Sequence, residues 1–591
     1  MAESPSINSD KVVESKVYCD GKALDDSFEL VYASVRLTLN KIGKATLKFN
    51  AASMEGQSSD ESDSDSFKPG GTIRLDVGYI DSLETIFEGV IVDVGLKIGK
   101  GYRSQMVVEC RDVAYAATQG RKNRLFEKKR DSEMIKEVLS DYGSVKVDST
   151  DYAHPEMMQY YSTDWDFARS RADVCGLYIY TKGSDIIVAK PTVSGSAVLS
   201  VTYGVDLIDF DVALSDSGIY SKYEAVSWDR KDQKLVSGSA SAPSLNKQGD
   251  LTEKQIAGDD TMLIQSDAPT DAAALKAWAD SIALRAGLAR YRGRFSFYGS
   301  AKVEPNTLIE LKGLGKRFNG NAFVGSVTHT IERGSWITSV GLGIETGNIT
   351  EEVDVVAPPA SGLLPGIEGV HTATVKKADG DPLSENRIQV ELPWLDGDKK
   401  ELWARLCTPY STSEAGIFFL PEVGDEVLVG FVNQDPSHPI ILGSLHNGKV
   451  KPPLENDAKN NTKGIITREK LTITLDDEKK IITIETPAKN RVEISDEGKS
   501  ITLADQNKNE IVMDSSGIAL TSAKDITLTA KGGITLDATT KIALAAKQDV
   551  TIEGLNFTAQ AKVGATVKGN ATAELSASGQ TTVKGAMVMI N

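Results

Sequence analysis

From about Gly517 onward the sequence repeats every eight residues, as SGIALTSA, KDITLTAK, GGITLDAT, TKIALAAK and QDVTIEGL. Ile518, Ile526, Ile534, Ile542 and Val550 fall in one register, and Leu520, Leu528, Leu536, Leu544 and Ile552 in another. Two apolar residues spaced two apart point the same way from a strand. The next pair comes eight residues on, after a polar corner, and a weaker repeat resumes at Val567, Leu575 and Val583. After Asn461 the only aromatic residue is Phe557, and there is no Cys or His. An octad has too few apolar residues for a globular core, and this tail has no aromatic bulk to fill a wide one. Three chains wound together solve the problem. Each supplies one face of a narrow prism, the ten Ile, Leu and Val residues above meet along its axis, and the Thr, Lys and Asp positions face water. Every strand edge then pairs with a neighbouring chain. With one octad per sheet spacing of about 4.8 Å, the roughly fifteen octads after residue 465 give a rod on the order of 70 Å long. A single-chain β-solenoid is the other arrangement that the repeat alone allows.

The rest of the chain differs in composition. It belongs to a protein of 591 residues and 63.5 kDa, which at roughly 100–200 residues per domain means several domains. The net charge of -17 and pI of about 5.0 argue against nucleic acid as the main ligand, because phosphate binding needs a basic face. They argue equally against docking on anionic membranes. The polar start, MAESPSINSDKVV, lacks a signal pattern, and no run of about 18 apolar residues is present to span a membrane. Cys19, Cys110, Cys175 and Cys407 are scattered, the pattern of buried, reduced thiols.

Between Lys16 and about Arg111, VYASVRLTL, KATLKF, GTIRLDVGY, TIFEGVIVDV and SQMVVEC read as short strands of a small barrel or sandwich. The Ser/Asp run GQSSDESDSDSF reads as a solvated loop between two of them, without calcium-loop spacing. DSEMIKEVLSDYG is a helix that Asp131 can cap, with Met134, Ile135, Val138, Leu139 and Tyr142 on one face. In TDWDFARSRADVCG, Thr163 or Asp164 can cap a second helix that buries Trp165 and Phe167 and stops at Gly176. DAAALKAWADSIALRAGLARY is a third, with Leu275, Trp278, Ile282 and Ala286 on one face. The barrel-like strand pattern then returns from RGRFSFY to SVGLG. The Pro- and Gly-rich EEVDVVAPPASGLLPG marks a boundary near residue 355. Beyond it, between Val370 and Pro453, RIQVELPW and DEVLVGFV fit a five-stranded barrel of the oligonucleotide/oligosaccharide-binding (OB) type.

Motifs for chemistry are missing. His154, His329, His371, His438 and His446 form neither H-x-x-x-H nor H-E-x-x-H. There is no nucleophile elbow, dinucleotide fingerprint or P-loop. Cys110 lies on a strand with no histidine partner suggested nearby. The residues therefore assign no catalytic, cofactor or metal site. A glycan-active phage-tail solenoid (a depolymerase or lyase) is the enzyme alternative, but it needs longer coils and aromatic sugar platforms that this tail lacks.

The order of these parts resembles VgrG, the trimeric spike of type VI secretion, phage-like tails and other contractile injection systems. RIQVELPW and FFLPEVGDEVLVGFVNQDPSHPIILGSLHNGKVKPP are similar to that family's spike-base barrel, DWDFARSRADVCG to its hub helix (with Asp173 where Glu is usual), and VKGAMVMIN to its blunt rod tip. The resemblance implies a mainly β protein in four parts. Residues 1–355 are a hub of two barrels, at about 16–115 and 285–350, with α/β insertions between them. Residues 356–369 are a linker, 370–453 an OB-fold collar, and 454–591 an intertwined triple-stranded β-helix needle. It implies a homotrimer without cofactors, seated on an Hcp-like hexameric tube among baseplate proteins. The hub's repeated barrel gives the trimer six similar faces. The tip, Met587, Val588, Met589, Ile590 and Asn591, then receives a PAAR-repeat protein or an effector. The gap from Pro453 to Leu471 is too short for the lysozyme domain of phage relatives, and the sequence reads as a bare spike. Without a signal peptide it is expected to be made in the bacterial cytoplasm and to leave it inside the injection particle.

Overall fold

The computed structural model describes residues 2–5, 12–51, 64–79, 82–99, 104–216, 218–241, 243, 245–257, 260–268, 270–396 and 400–590. Most of the Ser/Asp run lies outside these residues. Its last residue, Phe67, is buried against Phe28 and Phe49.

The strands of the two expected hub barrels are hydrogen-bonded to one another. They join one thirteen-stranded sheet, in which Leu30–Thr38 pairs antiparallel with Gly320–Glu332, from Ser326 opposite Thr38 to Glu332 opposite Tyr32. Alternating apolar residues identify both segments as strands, but they do not reveal a partner some 290 residues away. Two cores sit along this sheet. One gathers Phe49, Leu75, Ile91 and Val108, and the other Phe295, Phe297, Ile309 and Val340. The second lobe begins earlier than residue 285. Leu199–Thr202 and Leu207–Leu214 already belong to it, and they pair with Leu308–Lys312 and Tyr291–Tyr298.

Two α/β insertions interrupt the sheet. In the first, the helices Asp131–Leu139 and Asp164–Cys175 bury Met134, Ile135, Val138, Leu139, Trp165 and Phe167 against the three-stranded sheet of Ser144–Val147, Tyr178–Lys182 and Asp185–Ala189. Thr163 caps the second helix through the Asp166 amide, and Gly176 ends it at φ +67°, a conformation costly for side chains with a Cβ. Asp131 is not a cap. It lies inside the first turn, where its buried carboxylate takes Arg171 and His154. Burial opposes its ionisation, but the His154 hydrogen bond and Arg171 outweigh that and hold it at about 2. In the second insertion, the helix Ala272–Leu288 packs Leu275 and Ala286 onto the three-stranded sheet of Lys222–Asp229, Lys234–Ser241 and Thr261–Ser266.

The collar is a closed barrel in the hydrogen-bonding order His371–Lys377, Ile388–Glu391, Glu401–Leu406, Pro439–Leu445 and Glu426–Phe431. Gly424 turns at φ +95° just before the last of these. Hub and collar together make one compact unit that ends at Leu445, before the expected boundary of 453. The segment expected as a linker, residues 356–369, is strapped down, and so is the stretch that leads into it. Arg285 donates to the Gly347 carbonyl, and the Ile349 amide donates to Asp173. Arg121 donates to the carbonyls of Asp354, Val355 and Val356. Beyond it, Asn433 reaches Ser361, and the Ile367 amide donates to the Gln434 carbonyl.

Asp173 ties several of these parts together. Fully buried, it faces Arg169 at 3.3 Å and Arg285 at 3.6 Å, and accepts from Asn40 Nδ2 and the Ile349 amide. Removing one partner of a buried pair leaves the other charge uncompensated, at a cost of about 3–5 kcal/mol. Asp173→Ala is therefore expected to lower hub stability by about that much, measured by urea unfolding.

His329 is also fully buried. Its Nδ1 lies 3.3 Å from Trp336 Nε1 and 3.0 Å from Thr338 Oγ1. An indole N–H can only donate, so Nδ1 is the bare, accepting nitrogen. Burial pushes the imidazole from the usual 6.5 down to about 4. The unfolded chain takes up this proton near pH 6.5 and the folded chain only near 4. Hub stability should therefore fall as pH drops across that window, by at most about 1.4 kcal/mol per pH unit from this group. His329→Gln is expected to flatten that part of the curve, measured by urea unfolding at a series of pH values.

Candidate functional site: the C-terminal assembly face

The second compact unit, His446–Asn591, is built in two ways. Residues 462–521 form a seven-stranded antiparallel meander of five-residue strands, from Thr462–Ile466 to Gly517–Thr521, each pairing with the next. Its turns repeat. A short polar side chain opens each one and accepts a backbone amide, as Thr467, Asp476, Thr486, Ser495, Asp505 and Asp514 do. Lys470, Lys480, Lys489, Lys499, Lys508 and finally Gly517 take positive φ at its end. Octads are expected from residue 465 onward, but here the strands start nine or ten residues apart as far as Glu510, nineteen per pair of strands, and seven apart at the last turn, from Glu510 to Gly517. The recurrence of Asp457, Asp476, Ser495 and Asp514 at nineteen residues was the signal for it.

Residues directly opposite in an antiparallel ladder share a face. One row across this sheet is Ile465, Ile473, Ile484, Val492, Leu503, Ile511 and Leu520. A second is Lys463, Leu475, Ile482, Ile494, Ile501, Met513 and Ile518. The middle of the other face runs through Thr474, Thr483, Glu493 and Thr502. One face is thus a double apolar ridge, and in a single chain it is open. Ile473, Ile484, Ile494 and Leu503 are 40–47% exposed. Burying an Ile or Leu fully is worth on the order of 1.5–3 kcal/mol, so each leaves roughly 1 kcal/mol unrealised. The ion pairs of this unit, such as Lys459–Glu478 and Lys489–Glu485, are solvated and contribute little beside that.

After Thr521 the construction changes. Bends fall at 523–524, 531–532, 539–540 and 547–548, and again at 562–563, 570–571, 578–579 and 586–587. The stretches between them have negative φ throughout and no strand partner. All described residues from 523 to 590 are exposed, and none from 526 to 590 makes a hydrogen bond within the chain. Ile518 and Leu520, the first of the octad core residues, belong to the last meander strand. Ile526, Leu528, Ile534, Leu536, Ile542, Leu544, Val550 and Ile552 lie in the unpaired stretches, each more than half exposed. Met587, Val588, Met589 and Ile590 are exposed by 80, 50, 80 and 91%. Asn591 lies outside the described residues.

The titratable groups elsewhere do not assemble a reactive site among the described residues. Cys175 Sγ donates to Asp131 Oδ2 at 3.3 Å, and His154 Nε2 lies 2.9 Å from the same oxygen. The carboxylate thus stands between thiol and imidazole. Burial, with Asp131 beside it, pushes the Cys175 thiol up, opposite to what a nucleophile needs. Burial likewise pushes Cys110 up to about 12. Cys407 departs from the expectation of buried thiols and is exposed. His371 packs edge-on to Trp394 and Phe431, and His438 sits in an exposed turn beside Asp435.

Three family models match successive parts of the chain. One described as the Alg8 N-terminal domain matches residues 9–333, more than half of it. One described as the type VI secretion system/phage-baseplate injector OB domain matches 371–446, and one described as the phage baseplate V C-terminal trimerisation domain matches 480–558. Among curated proteins, the chain is 31% identical over 96 residues to the type VI secretion system spike protein VgrG3 of Vibrio cholerae, covering 15% of this chain and 9% of that one. It is 30% identical over 105 residues to VgrG5 of Pseudomonas aeruginosa, covering 17% and 13%. The chain thus spans about a tenth of the length of the curated relatives it matches. Among solved structures, a 43 kDa tail protein of a Shewanella oneidensis prophage aligns at TM-score 0.43 and 12% identity, covering 56% of this chain and 98% of that one. The Francisella PdpA–VgrG complex aligns at TM-score 0.38 and 10% identity, covering 88% and 82%. Both structural likenesses are too distant to carry an argument. The injector OB barrel and the trimerisation segment are the parts in which the chain is similar to baseplate proteins, VgrG spike proteins among them. The chain belongs to the Alg8 N-terminal domain family.

If the double apolar ridge is the assembly face, Ile494→Glu should reduce the chain to monomer while the hub still unfolds cooperatively. Thr483→Glu, on the opposite face, should leave assembly unchanged. Native mass spectrometry reads both.

Proposed function

We propose that three copies of this chain form the spike of a contractile injection machine of the type VI secretion or related phage-tail kind, and that the spike acts mechanically to puncture a target membrane. The observation that carries this reading is the segment 526–590, in which every described residue is exposed and none is hydrogen-bonded within its own chain. An unpaired backbone and open apolar pairs in one chain call for strands from other chains, and the segment overlaps the trimerisation-domain match. On this reading the Ile, Leu and Val residues from Ile518 to Ile552 line the axis of an interwound rod, and the meander's double ridge continues the same core towards the collar side of the sequence. The family matches favour this reading over the glycan-active solenoid.

The same proposal covers the partners. The two lobes of the hub sheet in each of three copies offer six similar faces, a match for a hexameric inner tube among baseplate proteins. Met587 to Ile590, with Asn591, form the apolar end on which a PAAR-repeat protein or an effector is carried. Assembly takes place in the bacterial cytoplasm, before release within the particle. Among the described residues no helix is long and apolar enough to cross a membrane.

Native mass spectrometry of the full chain should give three times 63.5 kDa. A chain ending at Val583 should keep that mass and lose co-purification of a PAAR-repeat protein. A monomer would overturn the spike reading, and retained binding by the shortened chain would overturn the tip assignment.

A further inference from the structure

A cavity of 520 Å³ lies where the two lobes of the hub sheet join, beside the paired residues Thr38 and Ser326. Arg36 and Lys41 line it from the first lobe, Arg292 and Glu345 from the second, and Arg169 from the helix Asp164–Cys175. Two of these four cations are answered within the chain, Arg169 by Asp173 and Lys41 by Glu345. Arg36 and Arg292 have no carboxylate partner among the described residues, and Arg292 donates only to the Ala289 carbonyl.

The imbalance continues across the sheet. Arg36 lies directly opposite Lys44, and Lys44 directly opposite Arg111. Residues directly opposite in an antiparallel ladder share a face, and like charges placed so are destabilising. Three cations thus stand in a row over three adjacent strands, about 10 Å from first to last. Arg111 has Glu109 at 3.7 Å. Arg36 and Lys44 are exposed, and Lys44, like Arg36, has no ion-pair partner among the described residues. In a chain with 83 acidic and 66 basic residues, this patch reverses the prevailing sign, and it concentrates anions at one place on the hub.

The surroundings narrow the choice of anion. A guanidinium holds a carboxylate through two parallel hydrogen bonds, and Arg36 and Arg292 border one cavity. The row from Arg36 to Arg111 extends the positive surface beyond the reach of a single small anion. Leu342 and Ile344 also line the cavity, which suits a chain with apolar side chains among its carboxylates. A nucleic acid needs a broad basic face, and the net charge of -17 opposes one.

We infer that the junction of the hub lobes is a docking site for an acidic polypeptide segment of a partner protein, held by Arg36, Lys44 and Arg292. The inference stands apart from the trimer reading, since it concerns hub residues and is read by peptide binding.

The test titrates the full chain with a fluorescein-labelled deca-glutamate peptide and follows fluorescence anisotropy at low and high salt. The peptide should bind at low salt and weaken as salt screens the contact. Arg36→Ser should lower the affinity about tenfold or more, and Lys136→Ser, on an exposed helix position elsewhere in the hub, should leave it unchanged. Lys44→Glu turns both of its cross-strand pairs into opposite charges, so it should raise the urea midpoint while lowering the affinity by a similar factor. A merely structural row would move the midpoint without touching peptide binding. No salt-dependent binding by the unaltered chain would overturn the proposal, as would affinities unchanged in Arg36→Ser and Lys44→Glu. A single-stranded oligonucleotide bound as tightly as the peptide would overturn the assignment to a polypeptide. A lower native mass for Arg36→Ser would make the patch a contact between copies of this chain and overturn it as well.

Discussion

A polypeptide cannot leave a long stretch of backbone and apolar side chain unsatisfied, and residues 526–590 of this one leave both unsatisfied within a single chain. The C-terminal unit is arranged around that demand. The meander of residues 462–521 satisfies its own hydrogen bonds and leaves only a face open. The octads satisfy neither. The dependence on other copies therefore grows along the rod, from a sheet that needs only covering to a strand that has no ladder of its own. In the proposed trimer, folding of this region and association of the chains become one event, and loss of the rod requires three chains to come apart together.

The hub answers a different demand. On the proposed spike reading the protein is pushed at one end and loaded at the other and must not bend at its joints, and the joint between hub and collar is where the sequence looks weakest, in a stretch rich in Pro, Gly and Ser. The structure fastens that stretch with charge. Asp173 and Arg285 hold its start, and Arg121 takes three successive carbonyls further on. Hydrogen bonds from charged donors are roughly twice as strong as neutral ones, and a guanidinium with several acceptors is fixed in direction as well as place. The buried Asp173 serves the helix Asp164–Cys175, the helix Ala272–Leu288 through Arg285, and the strap, so the interior of the insertion and the exit of the chain share one carboxylate.

Much of this was legible in the sequence, and the failures have physical causes. The three helices, the cap at Thr163, the stop at Gly176 and the five-stranded collar follow from local periodicity and turn chemistry, which act over a few residues. The joining of the two hub lobes was not legible, because strand pairing between Leu30–Thr38 and Gly320–Glu332 is set by packing at long range. A cap is the local use of an aspartate at the start of a helix, and local sequence offers Asp131 no other. Its actual use, holding Arg171 and His154, depends on segments twenty and more residues away. In the rod, the eye-catching octad masked the longer period before it. The two patterns share the Ile-x-Leu pair and differ only in the turn, where a lysine at positive φ stands in place of a bend.

That longer period makes the rod a ruler with fixed graduations. One nineteen-residue unit is two strands, about 10 Å of sheet at the usual strand spacing. Gain or loss of a whole unit keeps the ridge on the same side and returns the chain in the same direction. Gain or loss of half a unit reverses the exit and sends the following octads the wrong way. In the octad region the step is eight residues. The reach of such a needle can therefore change over evolutionary time only in discrete increments, and a different length would be recorded in the sequence as a count of intact repeats.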